Sequence, residues 1–460
     1  MGVAALALAA FAIALPYLWS IPEFTDETLM NLRSFSIFEG RSFPLTNGPA
    51  YIGAFYNYLE AAAFWVFGPS VYTPRLLSGL IGAMTVPAAY LFARPIAGRP
   101  LAGLTAGLLA TSGVEIAGVC HIGWNHSATP LLFILTLTLI VRAVKHRSGW
   151  SLAGAGALLG LALQTHVLVL PFLPGVAAYV LWKGRWLLRT RWIPIAAALC
   201  LLCYGNMIVY NVTTGFKSVE AAIEQNRSYA AQVEGDSGTY FGRQRRILLT
   251  LLRFPSSAID RREGWADYVR DPIVMGYAAL AVTGLVFLTR RGEPLPALVI
   301  LSAVLTFPLF GARHDLLPRQ GRYLAPLLTL IYLGVATGAW WIARNKCGPL
   351  LSRIGAPSER KVLGVLAAIV LTALPLATLH RFYDDAAAAD RTNDRFFALL
   401  PVIQANRDAA EVVLLDYNLA QERLGGGGTA LRSLDYLLSM NKIPYREVGF
   451  ELPDRVLRRH

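Results

Sequence analysis

Long apolar stretches alternate with short basic ones along most of this chain. Runs approaching a bilayer's thickness occupy 2–19, 76–93, 100–117, 128–144, 151–165, 167–182, 193–211, 272–289, 295–310, 324–343 and 362–379. A hydrocarbon core takes about 20 helical residues to cross, so the pattern predicts about eleven membrane-spanning helices. Pro171, Pro174 and Pro308 fall inside such runs, where membrane helices tolerate kinks. The first run carries no Lys or Arg ahead of it and reads as a retained span rather than a cleavable signal peptide. Segments 20–75, 212–271, 311–323 and 380–460 lie outside these runs.

The charges sort by side. One set of loops holds Arg94, Arg99, Arg142, Lys145, Arg147, Lys183, Arg185, Arg189, Arg191, Arg290, Arg291, Arg344, Lys346, Arg353, Arg360 and Lys361. Only Glu293 and Glu359 oppose them. All fall on one face of the predicted topology, which the positive-inside rule makes cytoplasmic. The N-terminus is then cytoplasmic, and the four larger segments, the C-terminal one included, are extracytoplasmic. The formal net charge of +13 therefore encodes topology and gives no reason to expect a nucleic-acid partner. With 55% apolar and 15% charged residues, against about a quarter charged in soluble proteins, the chain is a polytopic membrane protein. Four cysteines make no disulfide framework, and Cys200 and Cys203 lie in an apolar run where Cys packs as a small hydrophobe.

Candidate chemistry gathers on the outer side. Asp26 and Glu27 follow the first span directly, and carboxylates held against a membrane face are costly unless used. They read as catalytic acids or as residues placed on a helix dipole, and both readings hold together. The rest of 20–75, with aromatic and apolar residues from Tyr51 to Phe67, predicts helices lying along the membrane surface. Glu115, His121, Asn125, His126 and His166 are candidates for lining a polar cavity. Glu115, His121 and His126 also make a candidate divalent-metal set, although no fixed ligand spacing such as HExxH is present. Arg319 and Arg322 stand at the outer end of a late span, where the charge rule disfavours cations. Their guanidinium groups suit either bidentate phosphate capture or headgroup anchoring. Segment 243–253 is a basic amphipathic helix suited to anionic lipid. In the tail, 411–416 and 445–450 read as strands and 429–440 as a helix.

At these residues the chain resembles the GT-C membrane glycosyltransferases of the family 39 type, which includes protein O-mannosyltransferases and the lipid A aminoarabinose transferase. The resemblance rests on Asp26-Glu27 after the first span, Gly48-Pro49 through the aromatic run to Pro74-Arg75-Leu76-Leu77-Ser78, and Arg322-Tyr323-Leu324-Ala325-Pro326 opening a late span. It implies an all-α polytopic fold over 1–379, interfacial helices in the first extracytoplasmic loop, and here a small extracytoplasmic α/β segment over 380–460. It further implies an inverting transfer from a polyprenyl-phosphate sugar to a hydroxyl of a protein, lipid or polysaccharide acceptor. Asp26 would be the base with Glu27 beside it. Arg322 and Tyr323 would hold the phosphate, with Arg319 or Arg75 assisting. Where the family often carries a second acid, this chain reads Trp124-Asn125-His126, which leaves the use of a divalent metal open. Composition rich in Ala, Leu, Arg and Gly fits a bacterial plasma membrane. The other classes are a flippase for lipid-linked sugars and a non-catalytic scaffold subunit. A transporter predicts inverted repeats with ionisable midplane residues, and neither is evident.

Overall fold

An expected apolar run becomes helical because a helix satisfies its backbone hydrogen bonds within the segment, where lipid offers none. The computed structural model describes residues 3–18, 25–70, 72–231, 239–257, 268–310, 321–347, 357–389, 412–416 and 445–449. In chain order the main helices are α1 (Val3–Ala14), α2 (Thr25–Phe38), α3 (Phe55–Phe67), α4 (Thr73–Ala97), α5 (Arg99–Ala110), α6 (Thr129–His146), α7 (Gly149–Thr165) and α8 (Leu173–Lys183). They continue as α9 (Trp192–Cys203), α10 (Gly205–Thr214), α11 (Lys217–Ala231), α12 (Tyr240–Arg253), α13 (Pro272–Arg290), α14 (Leu295–Thr306), α15 (Leu328–Ile342) and α16 (Pro357–Ala389). The described parts of the eleven runs fall on helical segments, with 193–211 divided between α9 and α10 and 100–117 between α5 and the helical turns after it. Among the described residues, five helices are long and apolar enough to cross a membrane. The pair α9–α10, bent by 65°, makes a sixth if it is one span. The fold is all-α and polytopic.

Helices in an apolar solvent gain from close contact rather than from hydrophobic exclusion, so small residues mark their seams. Gly284 on α13 lies against the backbone of Gly334 and Gly338 on α15. On α7, Gly156 meets Ala196 and Gly160 meets Cys200 and Cys203 of α9. The two half-buried cysteines are thus a packing surface, as their apolar context implied. At the α9–α10 bend the Gln164 amide donates to the carbonyl of Cys203.

The segment between α1 and α4 folds as a helical hairpin over the ends of the spans. Its two helices are joined inside by polar groups: Ser34 Oγ donates to Glu60 Oε2 at 3.0 Å, and Asn57 Nδ2 donates to Ser34 Oγ at 3.0 Å and to the Met30 carbonyl at 3.2 Å. Between α2 and α3 the chain doubles back, with Asn47 N–H on Ile52 O at 2.8 Å. Gly48 sits at the tip with φ +97, and the Arg33 guanidinium occupies the space a Cβ would need while donating to Asn47 O. A side chain there meets both a strained backbone and a clash. The hairpin docks through Gly53 N–H on Gln164 O (3.0 Å) and Asn206 Nδ2 on Leu45 O (2.7 Å). The apolar tip Trp65-Val66-Phe67 is exposed, as suits a helix at a membrane boundary.

The basic amphipathic segment forms α12, with Ile247, Thr250 and Arg253 buried and Phe241 and Leu248 exposed. Tyr240 OH donates to Leu305 O at 2.8 Å and Arg243 to Pro308 O at 3.1 Å, tying it to α14 and the turn beyond. In the tail, β1 (Val412–Asp416) and β2 (Tyr445–Gly449) pair in parallel, Val412 opposite Tyr445. The helix expected over 429–440, Arg319 and the side chain of Asp26 lie outside what the structure describes.

Candidate active site

The short segment 121–126, between α5 and α6, is the scaffold on which the site is built. Three hydroxyl contacts pin it: Ser78 Oγ donates to Cys120 O at 2.9 Å, and Ser127 Oγ to Val119 O at 2.8 Å and Ile122 O at 2.7 Å. The segment holds acidic residues on one side and basic and aromatic residues on the other.

On the acidic side, the first turn of α2 brings Glu27 against the first turn of α4, where Thr73-Pro74 starts the helix and Arg75 follows. Arg75 Nε and Nη2 donate to Glu27 Oε1 and Oε2 at 2.9 and 3.0 Å, a two-bond fork. Arg75 Nη1 also donates to Leu18 O at 3.1 Å, and Gly123 N–H donates to Glu27 Oε1 at 2.8 Å. Both side chains are buried, at 0% exposure for Glu27 and 1% for Arg75. Gly123 has to lack a side chain: a Cβ would lie 2.7 Å from Pro74 Cβ and 3.1 Å from Glu27 Oε1. Asp26 precedes Glu27 in the same helical turn.

The Glu27 carboxylate is thus held between a guanidinium and a backbone N–H, and Arg75, expected to assist with phosphate, is buried against Glu27 and a carbonyl.

Around the pair stand His121 and Tyr56. Burial, with the Arg75 charge beside it, pushes the His121 imidazole down to about 4, and its Nδ1 meets Ile116 O at 3.1 Å. Burial and the nearby Glu60 and Glu27 charges hold the Tyr56 phenol well above its usual range, so it stays a neutral hydroxyl.

On the other side, the short helical turn Gly321–Leu327 delivers Arg322 and Tyr323. The partly buried Arg322 guanidinium lies 4.1 Å from the Trp124 ring centroid and 5.2 Å from that of Tyr323. Next to them is a ring cluster. His126 lies 4.6 Å from Trp124, 4.1 Å from His166 and 4.8 Å from Tyr323, and Tyr51 approaches His166 at 6.5 Å. His166 Nδ1 accepts from Leu168 N–H at 3.1 Å, which fixes its proton on Nε2. Asn125 anchors this side by donating to Thr165 O, while Thr129 and Thr165 hydroxyls meet at 2.9 Å.

The candidate metal set does not assemble. Glu115 is buried on the turn Gly113–Glu115, near Cys120 and Tyr332 rather than either histidine. His121 faces Arg75 and Glu27, while His126 faces His166 and Arg322. Among the described residues no three His, Cys, Asp or Glu side chains form a metal-holding group. Of the cavity candidates, His126 and His166 join Arg322 and Tyr323, Asn125 supports them, His121 belongs with Glu27, and Glu115 stands apart.

Sequence reasoning missed Trp124, Gly123, Tyr56 and Glu60 as contributors. Glu60 carried a usable signal, an acid inside an apolar helix. The others are ordinary residues whose importance lies in what they touch.

Residues 53–210 match the family described as dolichyl-phosphate-mannose-protein mannosyltransferase. The undecaprenyl phosphate-alpha-4-amino-4-deoxy-L-arabinose arabinosyl transferase of Pseudomonas aeruginosa (strain LESB58) is 30% identical over 174 residues, covering 34% of this chain and 31% of that protein. The match thus spans about a third of that relative's length. ArnT from Cupriavidus metallidurans bound to undecaprenyl phosphate shares the fold with a TM-score of 0.57 at 15% identity, over 97% of this chain and 88% of that one. The apo oligosaccharyltransferase from Archaeoglobus fulgidus gives a TM-score of 0.53 at 13% identity, over 97% of this chain and 64% of that one. The chain thus shares the fold of these membrane glycosyltransferases along nearly its whole length, and resembles the family in sequence over residues 53–210. Arg75, segment 121–126 and His166 lie inside the stretch that matches the family; Asp26, Glu27, Arg322 and Tyr323 lie outside it.

Proposed function

We propose that this chain is an inverting glycosyltransferase that moves a sugar from a polyprenyl-phosphate donor to an acceptor hydroxyl on the extracytoplasmic face of a bacterial plasma membrane. Asp26 takes the acceptor proton. The freed oxygen attacks the anomeric carbon in line, a new C–O bond forms, and the old bond to phosphate breaks with its electron pair leaving on the polyprenyl phosphate. Arg322 and Tyr323 receive that developing charge. A phosphate so neutralised leaves without a general acid, so one carboxylate suffices where glycosidases use two. Glu27 and Arg75 hold the start of α2 against segment 121–126 and thereby set the backbone position of Asp26.

The observation that carries this reading is the shared scaffold. Gly123 N–H binds Glu27, and the next residue, Trp124, underlies Arg322. The acid-bearing turn and the phosphate-binding candidate therefore flank a single three-dimensional feature. The donor class follows from what the matched family and the curated relative have in common by name, a sugar on a polyprenyl phosphate. Hexose and pentose both fit. Protein, lipid and polysaccharide acceptors fit as well, and membrane lipids surround the spans.

Purified protein given a polyprenyl-phosphate sugar and acceptor should release polyprenyl phosphate. Asp26→Asn should lower that turnover by about 10²–10⁴-fold while donor binding persists. Undiminished turnover in the variant rules out the base assignment, and transbilayer movement of the donor without bond cleavage points to a flippase.

A further inference from the structure

His126 is only 6% exposed, and among the described residues its buried Nε2 makes no hydrogen bond. Leaving such a nitrogen unpaired opposes folding, and native proteins keep one where a ligand completes it. Its surroundings define the ligand's sign. Trp124 and Tyr323, the two rings that flank Arg322, are also the rings that touch His126. No described acid or cysteine joins the two histidines in a three-ligand group. Arginine, phenol and an unpaired imidazole together describe a site for a tetrahedral anion.

We propose that His126 Nε2 is a third hydrogen-bonding contact to the phosphate of the polyprenyl carrier, beside Arg322 and Tyr323. This rests on the glycosyltransferase reading and deepens it. The imidazole stays neutral and donates Nε2–H; no proton moves. Its bond strengthens as the phosphate goes from one negative charge toward two while the sugar departs, so it acts more on the transition state than on the bound donor. His166, its ring centroid 4.1 Å away at a tilt of 31° and its Nδ1 committed to Leu168, holds the His126 ring in place.

The test uses farnesyl phosphate, a short isoprenyl phosphate without a sugar, titrated into the detergent-solubilised chain, with farnesol as the uncharged control. His126→Phe should weaken farnesyl phosphate binding by roughly 10–100-fold, the range for one bond to a charged group, and leave farnesol binding unchanged. His126→Gln keeps a donor and should recover part of the loss, which a purely structural role would not produce. In turnover assays His126→Gln should lower kcat more than it raises the donor KM. If His126→Phe and His126→Gln bind farnesyl phosphate as the unaltered chain does while Arg322→Met does not, the His126 contact is wrong and the enzyme reading stands. If Arg322→Met also binds normally, the phosphate site itself is elsewhere and both readings fall.

Discussion

Arg75 and Arg322 flank the same six residues and are used in opposite ways. Arg75 is sealed at 1% exposure, its guanidinium forked onto Glu27 and bonded to Leu18 O. Arg322 is partly buried, with its guanidinium carbon 4.1 Å from the Trp124 ring centroid and 5.2 Å from that of Tyr323. A guanidinium committed to a buried carboxylate and one placed over aromatic rings present different chemistry. The buried fork fixes two helices; the ring system suits an anion that comes and goes. Residue type says little about which is which. The partner decides.

The largest effect should come from breaking the fork. Removing one member of a buried ion pair leaves an uncompensated charge, so Arg75→Met should destabilise the chain by about 3–5 kcal/mol. The double variant Glu27→Leu with Arg75→Met should regain much of that stability, because an apolar pair of similar volume can replace a buried pair. Arg322→Met should change stability by less than about 1 kcal/mol while abolishing phosphate binding. Chemical unfolding in detergent, run beside farnesyl phosphate titration, separates the two. A stable Arg75→Met protein, or an Arg322→Met protein as unstable as it, would erase the distinction.

That distinction was half legible beforehand. The apolar runs fell on helices because span recognition depends on composition over about twenty residues and needs no knowledge of contacts. Arg322 was marked because the expected topology sets it on the side where the charge rule disfavours cations. His126 and His166 were marked as polar groups beside apolar runs, and they do come together. The pairing of Glu27 with Arg75 was not readable, since 48 residues and two helix starts separate them. Nor was the fate of Glu115. The stretch Ile116–Cys120 follows it directly as a wider helical turn, which no local sequence pattern announces. The clamp Ser34–Glu60–Asn57 depends on the angle at which α2 meets α3, which no local pattern specifies.

His121 sharpens the comparison from the acidic side. Its folded value of about 4 lies below the ordinary 6.5, through burial first and Arg75 second. The folded state therefore resists its protonation: stability is complete above pH 6.5 and falls as pH drops from there toward 4. The loss at the acid end should be about 3 kcal/mol. His121→Asn should flatten this limb of a stability–pH profile. An unchanged profile would mean that the Glu27–Arg75 side is wetter than its burial implies.

The smallest effect isolates the scaffold. At Gly123, a methyl would press on Pro74 and on Glu27 Oε1, and both are fixed, one by the start of α4 and the other by Arg75. Gly123→Ala should therefore cost about 1–3 kcal/mol of overpacking. Gly103, inside α5 with nothing within 4 Å of an added Cβ, is the control; alanine there should stabilise by about 0.5–1 kcal/mol through helix propensity. Because Gly123 carries the N–H that meets Glu27 and precedes the ring that underlies Arg322, the same methyl should lower turnover out of proportion to its effect on stability. If Gly123→Ala retains full turnover at unfolding losses of that size, the two sides of the site do not depend on segment 121–126 for their alignment, and the acid and the phosphate site are positioned independently.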